Sequence, residues 1–367
     1  MATIDYIRVN YTNIMKGIIL HGGSGTRLRP ITYSDVKQLL IVAGKPTSEY
    51  ALIDMLNSGI TEIAIVIGSI GGEEVKRYYG DGSKWNCKIK YIYQEKPLGI
   101  AHAIGLCRNF VGDDKFIVYL GDNVMQDHLE EPKKDFENGK YDAYLMLVNV
   151  RNPEKFGVCE IKDNRIISLE EKPKNPKSNL AVAGIYFLTP SIFRYIDMLK
   201  PSGRGEYEIM EALQILIEKN GRLGYRIIRG WFKDTGTVKD FLECNRLILE
   251  NLEDYPDPSK PNHSGRVHIG SGTVLDENTK ILGPCFIGDN VTVRESYIGP
   301  YTTIGNNCTI TGVEIENSVV MDRCSIEFVD GRIIFESIIG PYSLIRSGFS
   351  KTRRTSIITG RDSRMDI

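Results

Sequence analysis

Gly17-Ile-Ile-Leu20, followed without a break by His21-Gly-Gly-Ser-Gly-Thr-Arg-Leu-Arg-Pro30, is the stretch that decides the fold. A short apolar run of strand type opens directly into a glycine-rich turn. Gly22, Gly23 and Gly25, with Ser24 and Thr26 completing the turn, let the backbone approach a ligand and aim its N–H groups inward, which suits phosphate. This is not a P-loop, because no Gly-Lys-Ser/Thr follows. It is not the dinucleotide G-x-G-x-x-G either, because Leu28 stands where the third glycine belongs. A glycine-rich turn alone is equally an ordinary tight turn. Arg27 inside the turn and Lys37 ten residues later tip the reading, since a triphosphate needs cations beside its cradle.

Outward from this turn, residues 15–253 alternate short apolar runs with longer helical patterns. Strands are expected at 16–20, 62–67, 88–93, 115–120 and 142–148, and helices at 48–57, 73–79 and 98–107. Strand, helix, strand in this order predicts an α/β, Rossmann-like domain with a mostly parallel sheet covered on both faces. Strands at 156–161, 165–169 and 182–188 come without long helices between them and read as an antiparallel insertion on the sheet edge. Helices at 207–218 and 238–251 close the domain. A linker at 254–262 follows, marked by Pro256, Pro258 and Pro261.

Beyond the linker the period changes to six. Ile269, Leu275, Ile281, Ile287 and Val293 fall at steps of six, the register slips by one, and Ile298, Ile304 and Ile310 continue it. Hexads of this kind predict a parallel β-helix over 263–349, each hexad giving one short strand and one turn. A plain β-sandwich is the competing reading. About three hexads per coil would give about four to five coils. The tail at 350–367 breaks the hexad pattern and is read as a cap on the far end or an addition to the oligomer contact. Flat Ile/Val faces predict a homo-oligomer held through the β-helix, its near end docking on the first domain through the linker.

Bulk composition narrows the function. The chain has 367 residues, too many for one ordinary domain, and a net charge of −1 with no dense basic block. Nucleic-acid binding is not expected. No run of eighteen apolar residues exists to span a membrane, and residues 1–14 lack the form of a secretory signal, so the expected location is the cytoplasm. Residues 1–14 match no motif and read as an upstream start or an arm. The seven cysteines form no C-x-x-C pair and are expected to be reduced and buried.

At residues 22–46 the sequence resembles the signature of the sugar-1-phosphate nucleotidylyltransferases. Further motifs recur in order: Tyr93-Gln-Glu-Lys-Pro-Leu-Gly-Ile-Ala-His102, Leu120-Gly-Asp-Asn123, Phe156-Gly157, Leu169-Glu-Glu-Lys-Pro173, Ala181-Val-Ala-Gly184 and Gly230-Trp-Phe-Lys-Asp-Thr-Gly236. Over residues 15 to about 345 the chain is most similar to long-form glucose-1-phosphate thymidylyltransferases, which implies a Rossmann-like domain followed by a left-handed β-helix. Asp122 follows the run 116–120 and so belongs at the carboxyl end of a strand, where ligands bind in open sheets. Asp234 follows the run 225–229. The resemblance makes these two the Mg²⁺ ligands. It implies base contacts from Gln94 and Gly99, a position near the ribose for Gln38, and sugar contacts from Gly157, Glu171 and Val182. Lys172 would hold the sugar phosphate. Departures from the pattern are Val36, Ile41, Phe156, Met210 and Glu211, and the motif at 203–209 is assigned no role.

The implied reaction joins glucose-1-phosphate to dTTP, or to UTP as the alternative, and releases pyrophosphate. The attacking phosphate oxygen needs no base, because a phosphate monoester has its second pKa at about 6. Arg27, Lys37 and Lys172 would act as the catalytic cations. Two other classes stay open. An acyltransferase on the β-helix would need His263 or His268, and a silent regulatory relative would be expected to lack Arg27 or Lys37.

Overall fold

The computed structural model describes residues 15–23, 25–33, 35–252, 263–346, 354–355 and 357–366. Ser24 of the glycine-rich turn, the N-terminal arm at 1–14 and the linker at 254–262 lie outside the described residues.

The first domain runs β1 (Lys16–Leu20), the small hairpin β2 (Ile41–Val42) and β3 (Lys45–Pro46), α1 (Thr47–Asn57), β4 (Glu62–Ile67), α2 (Gly72–Tyr79) and β5 (Lys88–Tyr93). It continues with α3 (Ile100–Leu106), α4 (Arg108–Val111), β6 (Phe116–Leu120), β7 (Asn123–Met125), α5 (Glu130–Asn138) and β8 (Ala143–Asn149). After the hairpin β9 (Gly157–Lys162) and β10 (Arg165–Glu171) come β11 (Leu180–Leu188), α6 (Ile192–Ile196), α7 (Ile209–Glu218), β12 (Leu223–Ile227), β13 (Phe232–Asp234) and α8 (Val238–Leu249). Strands β5, β4, β1 and β6 lie side by side and parallel. Alternation along β1 sends Ile18 and Leu20 into the core under α3 and α7, and Ile19 into the core under α1 and α2.

The place of β11 corrects the expectation of an antiparallel insertion on the edge. Its C-terminal half pairs antiparallel with β6 and its other side with β8, so it lies inside the sheet. Only the β9–β10 hairpin branches off, through Ala181 opposite Val158. The reason is compositional: residues 181–188 are buried throughout, as a strand covered on both faces must be.

The second domain is a parallel β-helix. Ile269 pairs with Ile287, Ile287 with Ile304, Ile304 with Val320 and Val320 with Ile339, so one coil takes 16 to 19 residues, close to three hexads. Inward aliphatics such as Ile281, Ile298, Ile315 and Ile334 stack into a single core. The expected boundary at 349 is not where the solenoid stops. Arg354–Thr355 pairs with Ile333 and Ile334, and Arg364–Asp366 pairs with Leu344–Arg346. The described part of the tail therefore adds a further coil at that end.

The solenoid does not dock by its near end alone. Val319, Met321 and Ile338 on one flat face share a core with Leu28, Ile31, Leu40, Val42, Phe241 and Cys244 of the first domain. Buried Asn245 of α8 binds this seam: its Oδ1 accepts from Ala43 N at 2.9 Å and Thr303 Oγ1 at 2.7 Å, and its Nδ2 donates to Tyr301 O at 3.0 Å. Farther along, Arg361 forms an ion pair with Asp35. One of the apolar faces read as a self-association surface is thus covered by the chain's own first domain.

Candidate active site

The site assembles at the carboxyl ends of β1, β4, β5 and β6. The turn after β1 carries Gly23 at φ 97° and Gly25 at φ 58°, conformations that favour glycine. Thr32 Oγ1 donates to Gly25 O at 2.6 Å, which ties the turn to the short helical piece after it. A Cβ on Gly23 would lie 3.6 Å from Lys37 Nζ, so the Lys37 ammonium sits over the turn. Thr26 opens the single helical turn Thr26–Leu28 that carries Arg27.

Asp122 and Asp234 come together through β7 and β13, where Asn123 is paired with Asp234. Thr235 fixes this junction by donating both its N–H (2.9 Å) and its hydroxyl (2.8 Å) to Asp122 O. A Cβ on Gly236 would fall 2.6 Å from the Arg27 guanidinium and 2.9 Å from Asp234 Oδ1, so Arg27 and Asp234 flank that glycine. Asp234 Oδ1 is buried with no hydrogen-bond partner. Burial, then the neighbouring Asp122 charge, raise the Asp234 pKa to about 6, against the pull of Lys37 and Arg27. Two carboxylates, Asp122 just before β7 and Asp234 at the end of the paired β13, one with an orphaned oxygen, beside a phosphate-type turn, fit a hard divalent cation. Lys37 is ion-paired with Asp122, so the pair holds a positive charge beside that carboxylate.

Gln38, expected near the ribose edge, lies against the glycine-rich turn. It is 1% exposed, its Nε2 donates to Gly22 O at 2.8 Å, and its own carbonyl accepts from Ser48 Oγ at 2.9 Å. That arrangement braces the turn from below. Beside it lies His21, buried, with both ring nitrogens unpartnered and its ring edge-on to Tyr79. Burial pushes the His21 pKa down to about 3, so the ring is neutral.

Gln94 directly follows β5, and its Oε1 lies 3.8 Å from where a Cβ on Gly22 would be, so the base-contact candidate faces the turn. Gly99, at φ 104°, sits against Tyr207. On the far side, Gly157 and Glu171 are opposite each other in the β9–β10 ladder. Lys172 N donates to Phe156 O at 2.9 Å, and Lys172 Nζ lies 3.7 Å from Glu171. Burial raises the Glu171 pKa against the opposing charge of Lys172. Val182 is buried at the start of β11, and Asn123 Nδ2 donates to Ala183 O at 2.8 Å, which joins this side to the aspartate side.

Two residues left without a role in the sequence belong here. Arg204 donates to Glu171 at 3.1 Å and to Glu208 at 2.7 Å. His102 meets Gln94. The motif at 203–209 was the available signal for Arg204, and its departures at Met210 and Glu211 masked it. The seven cysteines are all free and buried. No described helix is long and apolar enough to cross a membrane.

Comparisons with known proteins agree with this geometry. A family model described as nucleotidyl transferase matches residues 16–251, and one described as the GMPPB C-terminal domain matches residues 281–363. A glucose-1-phosphate thymidylyltransferase of Streptomyces antibioticus is 41% identical over 358 residues, covering 96% of this chain and 99% of that protein. A low-salt glycan biosynthesis nucleotidyltransferase of Haloferax volcanii is 40% identical over 361 residues, covering 96% and 100%. A solved Bacillus anthracis structure, described as a glucose-1-phosphate thymidylyltransferase in complex with sucrose, matches with a TM-score of 0.61 at 40% identity, covering 66% of this chain and 98% of that one. With a phosphate-type turn, paired aspartates and a C-terminal β-helix in one chain, this protein belongs to the nucleotidyl transferase family, as a sugar-1-phosphate nucleotidyltransferase.

Proposed function

We propose that the protein transfers a thymidylyl group from dTTP to glucose-1-phosphate, releasing pyrophosphate, with Mg²⁺ as its cofactor. The observation that carries this reading is the convergence of Arg27, Lys37, Asp122 and Asp234 around one glycine-rich turn. A sugar-phosphate oxygen attacks the α-phosphorus, a new P–O bond forms, and the bond to the pyrophosphate oxygen breaks. Backbone N–H groups of the turn and Arg27 hold the leaving phosphates, where positive charge offsets the developing negative charge. Lys172 and Arg204 orient the sugar phosphate from the other side, with Glu171 accepting from sugar hydroxyls. Asp122 and Asp234 would hold Mg²⁺, which when bound supplies further neutralisation of the phosphates.

UTP is the second reading. The reason for disfavouring a ribose 2′-hydroxyl was Gln38, and that side chain is engaged with Gly22. Incubation with glucose-1-phosphate, Mg²⁺ and either dTTP or UTP, followed for pyrophosphate, tests both. Release with dTTP at a kcat/KM at least equal to that with UTP is the expected result. No release with either triphosphate would sink the proposal, and a clear UTP preference would reverse the order of the two.

A further inference from the structure

Gln94 has two amide hydrogens, and the fold uses both. Its Nε2 is 3.3 Å from Gly99 O and 2.9 Å from His102 Nδ1. A carbonyl oxygen only accepts, so the nitrogen end of the amide is the end that faces Gly99. The second hydrogen then goes to His102 Nδ1, which accepts it, and the ring proton sits on Nε2. What remains is Oε1, an acceptor, on the side of Gly22 and the phosphate-type turn.

His102 is itself held. Its ring lies nearly parallel to that of Tyr207, 28° between planes and 6.2 Å between centroids. Tyr207 is fastened to the Gln94 loop through its backbone: its N–H donates to Leu98 O at 2.8 Å, and its carbonyl accepts from Ala101 N at 3.1 Å. A Cβ on Gly99 would come within 2.5 Å of Tyr207 O, so the two segments are in contact. Tyr207, His102 and Gln94 form one chain of contacts from the segment at 203–208 to the nucleotide side of the cleft.

We infer that His102 is a positioning residue that locks Gln94 as an acceptor toward the nucleobase, so that the site selects bases with an N–H at that edge. This deepens the proposed function and rests on Gln94 facing the base. Thymine and uracil present N3–H, whereas cytosine, of the same size, presents a lone pair there. A free amide can turn over and offer its N–H₂ end to cytosine. A held amide cannot, and the mismatch then sets two acceptors against each other.

The test separates acceptor from packing. His102→Phe keeps a ring on Tyr207 and removes the acceptor, and His102→Gln keeps an acceptor and removes the ring. Equilibrium binding of dTTP and of dCTP to the full chain is measured by titration calorimetry without sugar phosphate, and the KM for glucose-1-phosphate is measured alongside. Wild type is expected to favour dTTP by about 10²-fold or more, with the ratio falling about tenfold in His102→Phe and holding in His102→Gln. The KM for glucose-1-phosphate should stay unchanged in both variants. A wild-type ratio retained in His102→Phe, or lost equally in both variants, overturns the inference. Binding selectivity without any pyrophosphate release would instead count against the proposed reaction and leave the role of His102 standing.

Discussion

The two domains treat buried polar groups in opposite ways. In the β-helix, Thr273, Ser318, Ser337 and Ser343 are buried, and each hydroxyl donates to a backbone carbonyl; those of Thr273, Ser318 and Ser337 also accept a backbone N–H from the next coil. In the first domain, His21 Nδ1 and Nε2, Gln38 Oε1 and Asp234 Oδ1 are buried without partners near the glycine-rich turn, and Ser58 Oγ and Trp231 Nε1 are orphaned as well. Among the described residues no such orphan lies in the solenoid. An unmade hydrogen bond in low dielectric is costly, so a fold keeps one where something else uses it. The solenoid is built as scaffold, and the turn is built to receive charge.

The largest effect that could break this contrast concerns Asp122. Asp122→Asn preserves shape but removes one of the two facing carboxylates, and pyrophosphate release should fall by about 10³-fold. The thermal melt, followed by circular dichroism, should keep a single cooperative transition. Full rate at ordinary Mg²⁺ would show that the aspartate pair is not the charge centre.

Next in size is the seam between the domains. Asn245→Ala leaves Ala43 N–H, the Thr303 hydroxyl and Tyr301 O without their partner in a buried place. The expected cost is about 2–4 kcal/mol by urea denaturation. Because Leu28, Ile31, Leu40 and Val42 share the core at this seam and flank Arg27 and Lys37, the KM for the triphosphate should rise as well. A loss of stability under about 0.5 kcal/mol would make the solenoid a spacer and dissolve the coupling argued from packing.

Much of this molecule was legible in residue order, and the parts that were not share a cause. Glycine spacing, the apolar run before Asp122 and the hexads are local signals, each confined to a few neighbouring residues. Strand β11 was misplaced because its apolar run says that both faces are covered, not which strands lie beside it. Docking of the solenoid on α8 was hidden because Val319, Met321 and Ile338 look like any other hexad aliphatics. The bond from Gln38 to Gly22 O was not legible, because residue order does not say that Lys37 lies over the turn while Gln38 bonds to its backbone. Arg204 and His102 gain meaning only from partners far along the chain, Glu171 and Tyr207.

A smaller effect sharpens the contrast through pH. Burial raises the Asp54 pKa to about 7, with Glu130 and Asp127 adding to the rise and Tyr119, which donates to it at 3.3 Å, opposing it. The folded state therefore holds this proton more tightly than the unfolded chain, whose carboxyl titrates at about 4. Between roughly pH 4 and 7 the native state binds more protons, so stability from this group falls as pH rises. Asp54→Asn should be neutral at pH 4 and stabilising at pH 8 by on the order of 1–2 kcal/mol. An equal effect at both pH values would remove Asp54 as the source. Among the described solenoid carboxyls burial also raises Asp322, so Asp322→Asn is the matching variant in the second domain.

The smallest effects decide the contrast most directly, because they should differ in sign. Ser343 in the solenoid is 1% exposed and donates to Gly340 O at 2.7 Å. Ser343→Ala removes that donor from a buried carbonyl and should destabilise by about 1 kcal/mol. His21 is also buried, but neither ring nitrogen has a partner, and the ring is already neutral. His21→Leu removes two unsatisfied polar atoms at similar volume and should stabilise by about 1 kcal/mol. Urea denaturation of both variants at one pH measures the pair. Destabilisation by both would mean that the His21 nitrogens are satisfied in solution, for instance by water, and the turn would then be no more strained than the coils. Stabilisation by His21→Leu together with loss of turnover would show that a polar cost is retained at the turn for the sake of the reaction, which is the difference in design between the two domains.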